Sequence, residues 1–65
     1  MNKTILKNQA EYYRNMYLAG YIDAKSAQEM IQPYLNVLNA DNANIARAYG
    51  RYFKKINFID FINNT

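Results

Sequence analysis

The chain has 65 residues with no Cys and no His, a formal net charge of +3, and ten aromatic side chains of which seven are Tyr and three are Phe. A chain of this length forms one domain, and a single core of that size rarely supplies more than roughly 3 to 5 kcal/mol of net stability. The missing Cys and His exclude disulfides, the usual zinc sites and acid–base catalysis by a side chain that titrates near neutrality. We therefore expect one domain, 1–65, that is not an enzyme and uses no metal or other cofactor.

Membrane and export signals are absent from the sequence. No apolar run approaches the roughly 20 residues that span a bilayer, and the N-terminus lacks the apolar stretch of a signal peptide. We expect no membrane partner and an intracellular location. The net charge of +3 is too mild to imply a nucleic-acid role by itself.

The first predicted helix covers about residues 5–19. Asn2 and Thr4 are candidate N-caps, and Gly20 is suited to the left-handed conformation that ends a helix. Two neighbouring apolar rows at helical spacing make a wide apolar arc, consisting of Leu6, Ala10, Tyr13 and Tyr17, and of Ile5, Tyr12, Met16 and Ala19. A wide arc predicts a helix that is covered on more than one side, by the other helices or by a second chain.

The second predicted helix covers about residues 23–32, with Asp23 as its N-cap. Its inward side chains are predicted to be Ala27, Met30 and Ile31. Pro33 ends or kinks this helix, because a proline ring clashes with the carbonyl four residues earlier. A kinked but continuous helix is the alternative.

The third predicted helix, about residues 33–49, is the rod against which the other helices would pack. Pro33 suits a first helical position and Gly50 suits the position after the last. One face carries apolar side chains at steps of four, seven and four, namely Tyr34, Leu38, Ile45 and Tyr49. The polar stretch 39–44 favours caps and turns, so the alternative is two short helices with a loop near residues 39–42.

The last predicted helix covers about residues 58–63. A strand here would have no partner, whereas Asn57 can cap a helix and Asp60 suits its first turn. The large apolar side chains of this segment are too many for a free tail and must close the core or form an interface: Phe58, Ile59, Phe61 and Ile62. The predicted fold class is all-α, a small bundle of three main helices plus a short C-terminal helix.

Four short motifs lie between Tyr17 and Phe61, namely AGYID, PYLNVLN, IARAYG and KKINFIDF. Through these motifs the sequence resembles a group of small hypothetical proteins from bacteriophages of low-GC Gram-positive bacteria. Those proteins are richer in Glu and Lys where this chain has residues 41–44, which bears on the continuity of the third helix. The resemblance implies a phage origin, the cytoplasm of a bacterial host cell as location, and an early host-directed or regulatory task.

A basic cluster stands near the end of the third predicted helix. It consists of Arg47, Arg51, Lys54 and Lys55, with Tyr49, Tyr52 and Phe53 between them and no acid among them. Such a cluster binds nucleic-acid phosphates or an acidic protein surface, or it is a solvated helix end whose dipole attracts cations. The spacing of residues 45–59 also matches a helix-turn-helix whose second helix begins near Tyr52, although Arg51 stands where an apolar residue is expected.

The tyrosines divide into two predicted sets. Tyr13, Tyr17, Tyr34 and Tyr49 are expected to fill the core, and Tyr12, Tyr21 and Tyr52 are candidates for a contact surface.

The leading hypothesis is a binding protein that docks on a host or phage protein and inhibits a host enzyme or defence system, with a homodimer as one form. The alternative is a small DNA-binding regulator that uses the basic cluster 47–55. A structural component of the virion is a third hypothesis.

Overall fold

The computed structural model describes residues 2–63, and it contains three helices and no strand in that range. The helices are α1 (Lys3–Leu18), α2 (Ala24–Ala48) and α3 (Phe58–Asn63). The predicted all-α class is confirmed. Met1, Asn64 and Thr65, which the predicted domain 1–65 includes, lie outside the described residues.

Both ends of α1 follow from the residues that flank it. The Asn2 side chain accepts a hydrogen bond from the backbone N–H of Thr4 at 2.6 Å, so Asn2 is the N-cap. At the other end, Gly20 adopts a positive φ of 85°, and the Tyr21 N–H donates to the carbonyl of Met16 at 2.9 Å. This six-to-one hydrogen bond is the Schellman arrangement that terminates helices at glycine.

One helix replaces the two that were predicted for residues 23–32 and 33–49. α2 runs for 25 residues without interruption, so the expected helix boundary at Pro33 is wrong, and so is the alternative loop near residues 39–42. The alternative of a helix that continues across Pro33 is confirmed in its continuity. The Asp23 carboxylate accepts from the Ser26 N–H at 2.8 Å, which confirms the predicted N-cap.

Pro33 is tolerated inside α2 because of the side chains around it. Its ring faces solvent, while Ile31, Tyr34 and Leu35 in the same turns are buried. Burying a large apolar side chain contributes about 1.5 to 3 kcal/mol, so three of them outweigh the roughly 3 kcal/mol that an interior proline costs.

α1 and α2 lie antiparallel, and their facing sides form the core. Lys3 at the start of α1 pairs with Asp41 near the end of α2, with 2.7 Å between Nζ and Oδ2. The buried apolar residues are Ala10, Ala27, Ile31, Tyr34, Leu35, Phe58 and Ile62. The first predicted row of α1 is confirmed as the inward one, since its other members Leu6, Tyr13 and Tyr17 pack against this cluster.

The second predicted row of α1 is largely exposed in the described part of the chain. Ile5 and Tyr12 are exposed at 55% and 57% of their surface, and Met16 is half-buried. The expectation that the other helices cover this side of α1 is therefore wrong for Ile5 and Tyr12, and cover by a second chain stays a prediction. Met30 of α2, which was predicted to point inward, is also exposed. The exposed row of α1 and Met30 share one cause. α1 and α2 contact each other along one face only, and α3 is too short to cover a second face of either helix.

α3 begins with a reciprocal capping box. The Asp60 N–H donates to Oδ1 of Asn57 at 2.9 Å, and the Asn57 N–H donates to Oδ2 of Asp60 at 3.2 Å. The predicted roles of both residues are confirmed, and this pairing explains how so short a helix starts at a defined residue.

α3 packs on both long helices through aromatic contacts. The ring of Phe58 lies 5.7 Å from that of Tyr17 in α1, and the ring of Phe61 lies 6.0 Å from that of Tyr34 in α2, both edge to face. The C-terminal segment therefore closes the core, as predicted, except that Ile59 is 62% exposed.

Candidate binding groove at the end of α2

The C-terminal part of α2 extends beyond α1. The ion pair between Lys3 and Asp41 shows where α1 begins, so residues 42–48 continue for roughly 10 Å with no part of α1 beside them. Ile45 and Tyr49 on this part are 57% and 75% exposed, although they continue the face that is buried at Tyr34. Their predicted place in the core is wrong because α1 is nine residues shorter than α2.

The non-helical segment 51–57 lies against this end of α2 and is held at its start by the helix-ending turn. Gly50 adopts a φ of 64°, and the Arg51 N–H donates to the carbonyl of Ala46 at 2.8 Å. The predicted helix stop at Gly50 is confirmed, and the chain leaves α2 in a defined direction.

Asn39 holds the other end of the segment. Its Nδ2 donates to the carbonyl of Ile56 at 2.9 Å, and its Oδ1 accepts from the Ile56 N–H at 2.8 Å. A single side-chain amide thus pairs both polar groups of one peptide residue, as a neighbouring strand would. Asn39 is only 6% exposed, so these bonds are shielded from water and fix the segment to the middle of α2.

A groove of about 450 Å³, open to solvent, lies between the two anchors. Aromatic, aliphatic and basic side chains line it without a carboxylate: Asn42, Ile45, Ala46, Tyr49, Arg51, Tyr52, Phe53 and Lys54. Tyr52 is 91% exposed. The arrangement offers an apolar floor with cations at its edge, and it contains no pair of groups suited to proton transfer or nucleophilic attack.

The four cations of the basic cluster are exposed and form no ion pair within the described residues. Within residues 2–63 the ion pair between Lys3 and Asp41 is the only one, so no carboxylate in that range lies within pairing distance of the cluster. Outside the cluster, the hydrogen bond to Asp41 raises the pKa of Lys3, and the Ser26 N–H lowers the pKa of Asp23. The cluster keeps its charge available to an anionic partner.

The structure brings together only part of the predicted site. Arg51, Tyr52 and Lys54 line the groove. Lys55 lines a second, smaller depression together with Lys54 and Asp60. Arg47 is exposed in the last turn of α2. The other two candidates lie away from the groove, on the outer side of α1 and in the connection that precedes α2: Tyr12 and Tyr21.

The predicted helix-turn-helix is wrong. Residues 51–57 are not helical, so no second helix begins near Tyr52. The next helix, α3, has six residues and buries Phe58 and Ile62 in the core. A helix of that length with its apolar face buried cannot be laid into a DNA groove as a recognition helix.

Sequence reasoning missed Asn39 and Ile45 as parts of this site. Asn39 was interpreted only as a poor helix former. The available signal was the apolar face of α2, which continues to Tyr49 and is longer than the 16 residues of α1 can cover.

Comparisons with known protein families, curated proteins and solved structures found no match to this chain. The resemblance to small phage proteins therefore stays a prediction.

None of the helices between residues 2 and 63 has the length and apolar character needed to cross a bilayer. The same residues contain no group of acidic side chains arranged to hold a metal ion.

Proposed function

We propose that the protein is a non-enzymatic binding protein that docks on a protein partner through the groove at the end of α2. The observation that carries this proposal is the aromatic surface around the groove, where Tyr49 and Tyr52 are 75% and 91% exposed beside Ile45 at 57%. Clustered apolar surface of this kind marks interaction sites, and Tyr is enriched among the residues that dominate binding energy.

The sequence resemblance supplies the biological setting of this proposal. In a phage protein of a low-GC Gram-positive host, the partner is a host or phage protein in the bacterial cytoplasm, and docking inhibits a host enzyme or defence system. A small rigid domain suits this task, because little conformational freedom is lost when a pre-formed surface binds.

Affinity capture with matched tyrosine variants tests the proposal. The immobilised protein is exposed to nuclease-treated lysate of a low-GC Gram-positive bacterium, beside a Tyr49→Ala/Tyr52→Ala variant and a Tyr12→Ala/Tyr21→Ala variant. We expect a specific protein to be retained by the original chain and by the second variant, and to be lost from the first. Retention of no protein, or equal retention by both variants, overturns the proposal.

Binding of single-stranded nucleic acid is a second candidate function. It is favoured by the exposed rings of Tyr49 and Tyr52, which line the groove together with the cations Arg51 and Lys54. Neither cation forms an ion pair within the described residues. Stacking rings beside cations are the usual elements of such sites. A mobility-shift assay across salt concentrations decides, because phosphate contacts give at least weak binding at low salt. No shift at low salt removes this candidate.

A further inference from the structure

We infer that the groove recognises an acidic peptide segment that carries a large apolar side chain, an inference that rests on the proposed function. The partner is therefore defined by three properties: negative charge, an apolar anchor, and a backbone able to pair with the segment 52–55. Each property follows from a separate feature of the groove.

The negative charge expected of the partner follows from the charges of the side chains that line the groove. Arg51 and Lys54 line the groove, and no carboxylate among the described residues does. At physiological ionic strength the field of exposed charges reaches about 8 Å, which covers a groove of this size. Complementary charge steers a partner and penalises a basic one, so Asp or Glu side chains are expected at the edge.

The apolar anchor expected of the partner follows from the apolar side chains that line the groove. Ile45, Tyr49 and Phe53 line a space of about 450 Å³. This volume falls within the range of small-ligand sites, so it holds a few side chains of a peptide. An aromatic or long aliphatic residue fills such a floor, whereas a phosphate group leaves it uncovered.

The expectation that the partner is a peptide rests on the backbone N–H and C=O groups of residues 52–55. Within residues 2–63, no hydrogen bond involves the backbone of residues 52–55, although the segment is fixed at Arg51 and at Ile56. A peptide backbone carries both N–H and C=O groups, so it can bond to both kinds of backbone group in this segment. The DNA backbone carries acceptors and no donors, which makes a peptide the better match.

The test uses a fluorescent peptide in which a central Trp is flanked by Glu residues, titrated with the full chain and followed by anisotropy. We expect binding that weakens about tenfold with Lys54→Glu or Arg51→Glu, since a favourable contact becomes a repulsive one. Tyr49→Ala is expected to weaken binding to a similar extent. Lys25→Glu, an equal charge reversal at the start of α2, is the matched control and should leave binding unchanged.

Three further probes make each outcome decisive. A Lys-flanked peptide and a peptide with Ala in place of Trp should both bind at least tenfold more weakly. A single-stranded oligonucleotide that binds more tightly than the Glu-flanked peptide overturns the inference in favour of nucleic acid. Self-association that is abolished by Tyr49→Ala overturns it in favour of a second copy of the chain.

The inference and the proposed function fail in distinguishable ways. Absence of peptide binding, together with lysate capture that depends on Tyr49 and Tyr52, overturns the acidic-peptide inference and leaves the docking function in place. All substituted side chains are exposed, and circular dichroism of each variant should match that of the original chain. A variant that fails this check is replaced by Tyr52→Ala, which alters a ring that is 91% exposed.

Discussion

Asn39 connects the helical core to the wall of the groove. Asn is a mediocre helix former, and a buried amide without partners is costly, yet both of its polar atoms here bond to the backbone of Ile56. The side chain therefore stabilises the tertiary structure while it slightly destabilises the isolated helix. It also determines where the segment 51–57 lies, and with it the shape of the groove.

Replacing Asn39 by Ala should destabilise the protein by about 2 kcal/mol, because two hydrogen bonds are lost and the Ile56 peptide groups are left without partners in a partly buried place. Chemical denaturation followed by circular dichroism measures the change. Asn44→Ala is the matched control, since Asn44 is exposed on the same helix and the substitution should be neutral or slightly stabilising. Equal effects of the two substitutions would contradict the role of Asn39.

The N-cap of α2 should make stability depend on pH. The Ser26 N–H holds the pKa of Asp23 below its usual range, so folding favours the charged carboxylate. This stabilisation is present above the carboxyl pKa of the unfolded chain and is lost as the pH falls through the lower pKa of the folded chain. Thermal unfolding of the original chain and of Asp23→Asn, measured from neutral to acidic pH, should converge at the acidic end. A constant difference would show that the charge of Asp23 is unimportant.

At the scale of the element, α2 combines a local defect with strong tertiary support. Pro33 lacks the N–H that would bond to the carbonyl of Glu29, and its ring disturbs the preceding turn. The buried neighbours on either side keep the helix continuous. Local propensity predicted two helices, and packing against α1 and α3 produced one.

Substitution of Pro33 by Ala should therefore stabilise the protein, by about 1 to 3 kcal/mol, because it restores a helical hydrogen bond and removes little buried surface. The melting temperature measures the gain. Gln28→Ala, an exposed substitution in the same helix, serves as the control and should change stability little. A loss of stability in Pro33→Ala would mean that the packing of α2 requires the proline geometry.

At the scale of the whole molecule, a small core depends on its last helix. Among the described residues, Ile31 and Leu35 are the largest side chains that are fully buried, and Phe58 and Ile62 of α3 close the remaining side. Without α3 the rings of Tyr17 and Tyr34 lose their aromatic partners. A domain of this length has little stability to spare.

Truncation of Phe58 should accordingly unfold most of the population, whereas truncation of its neighbour should not. A buried Phe→Ala change costs about 3 to 5 kcal/mol, which is comparable to the whole net stability expected at this size. Ile59→Ala removes a side chain that is 62% exposed and should leave a cooperative transition. Circular dichroism and thermal melts of the two variants compare them directly. Cooperative folding of Phe58→Ala would show that α3 is dispensable.

The candidate site was predictable in composition and unpredictable in shape. The basic residues and Tyr52 were recognisable from their clustering, because charge and aromatic content are properties of the residues themselves. The groove was not recognisable, because it requires the difference in length between α1 and α2 and the bonds from Asn39 to a residue 17 positions later. Tyr49 shows most clearly that helical spacing alone does not predict burial. The spacing places Tyr49 on the core face, but α1 does not reach it, and its side chain is exposed.

Features that depend on neighbouring residues could be read along the chain: the caps at Asn2, Asp23 and Asn57, the stops at Gly20 and Gly50, and the helical class. These features arise from hydrogen bonds within a turn, which short-range geometry controls. Packing alone decided between the two alternatives that the sequence left open at Pro33. It also decided how far α2 extends beyond α1 and where residues 51–57 lie. Those outcomes are set by contacts between residues far apart in sequence, whose combined burial exceeds the local preferences that a reading of neighbours detects.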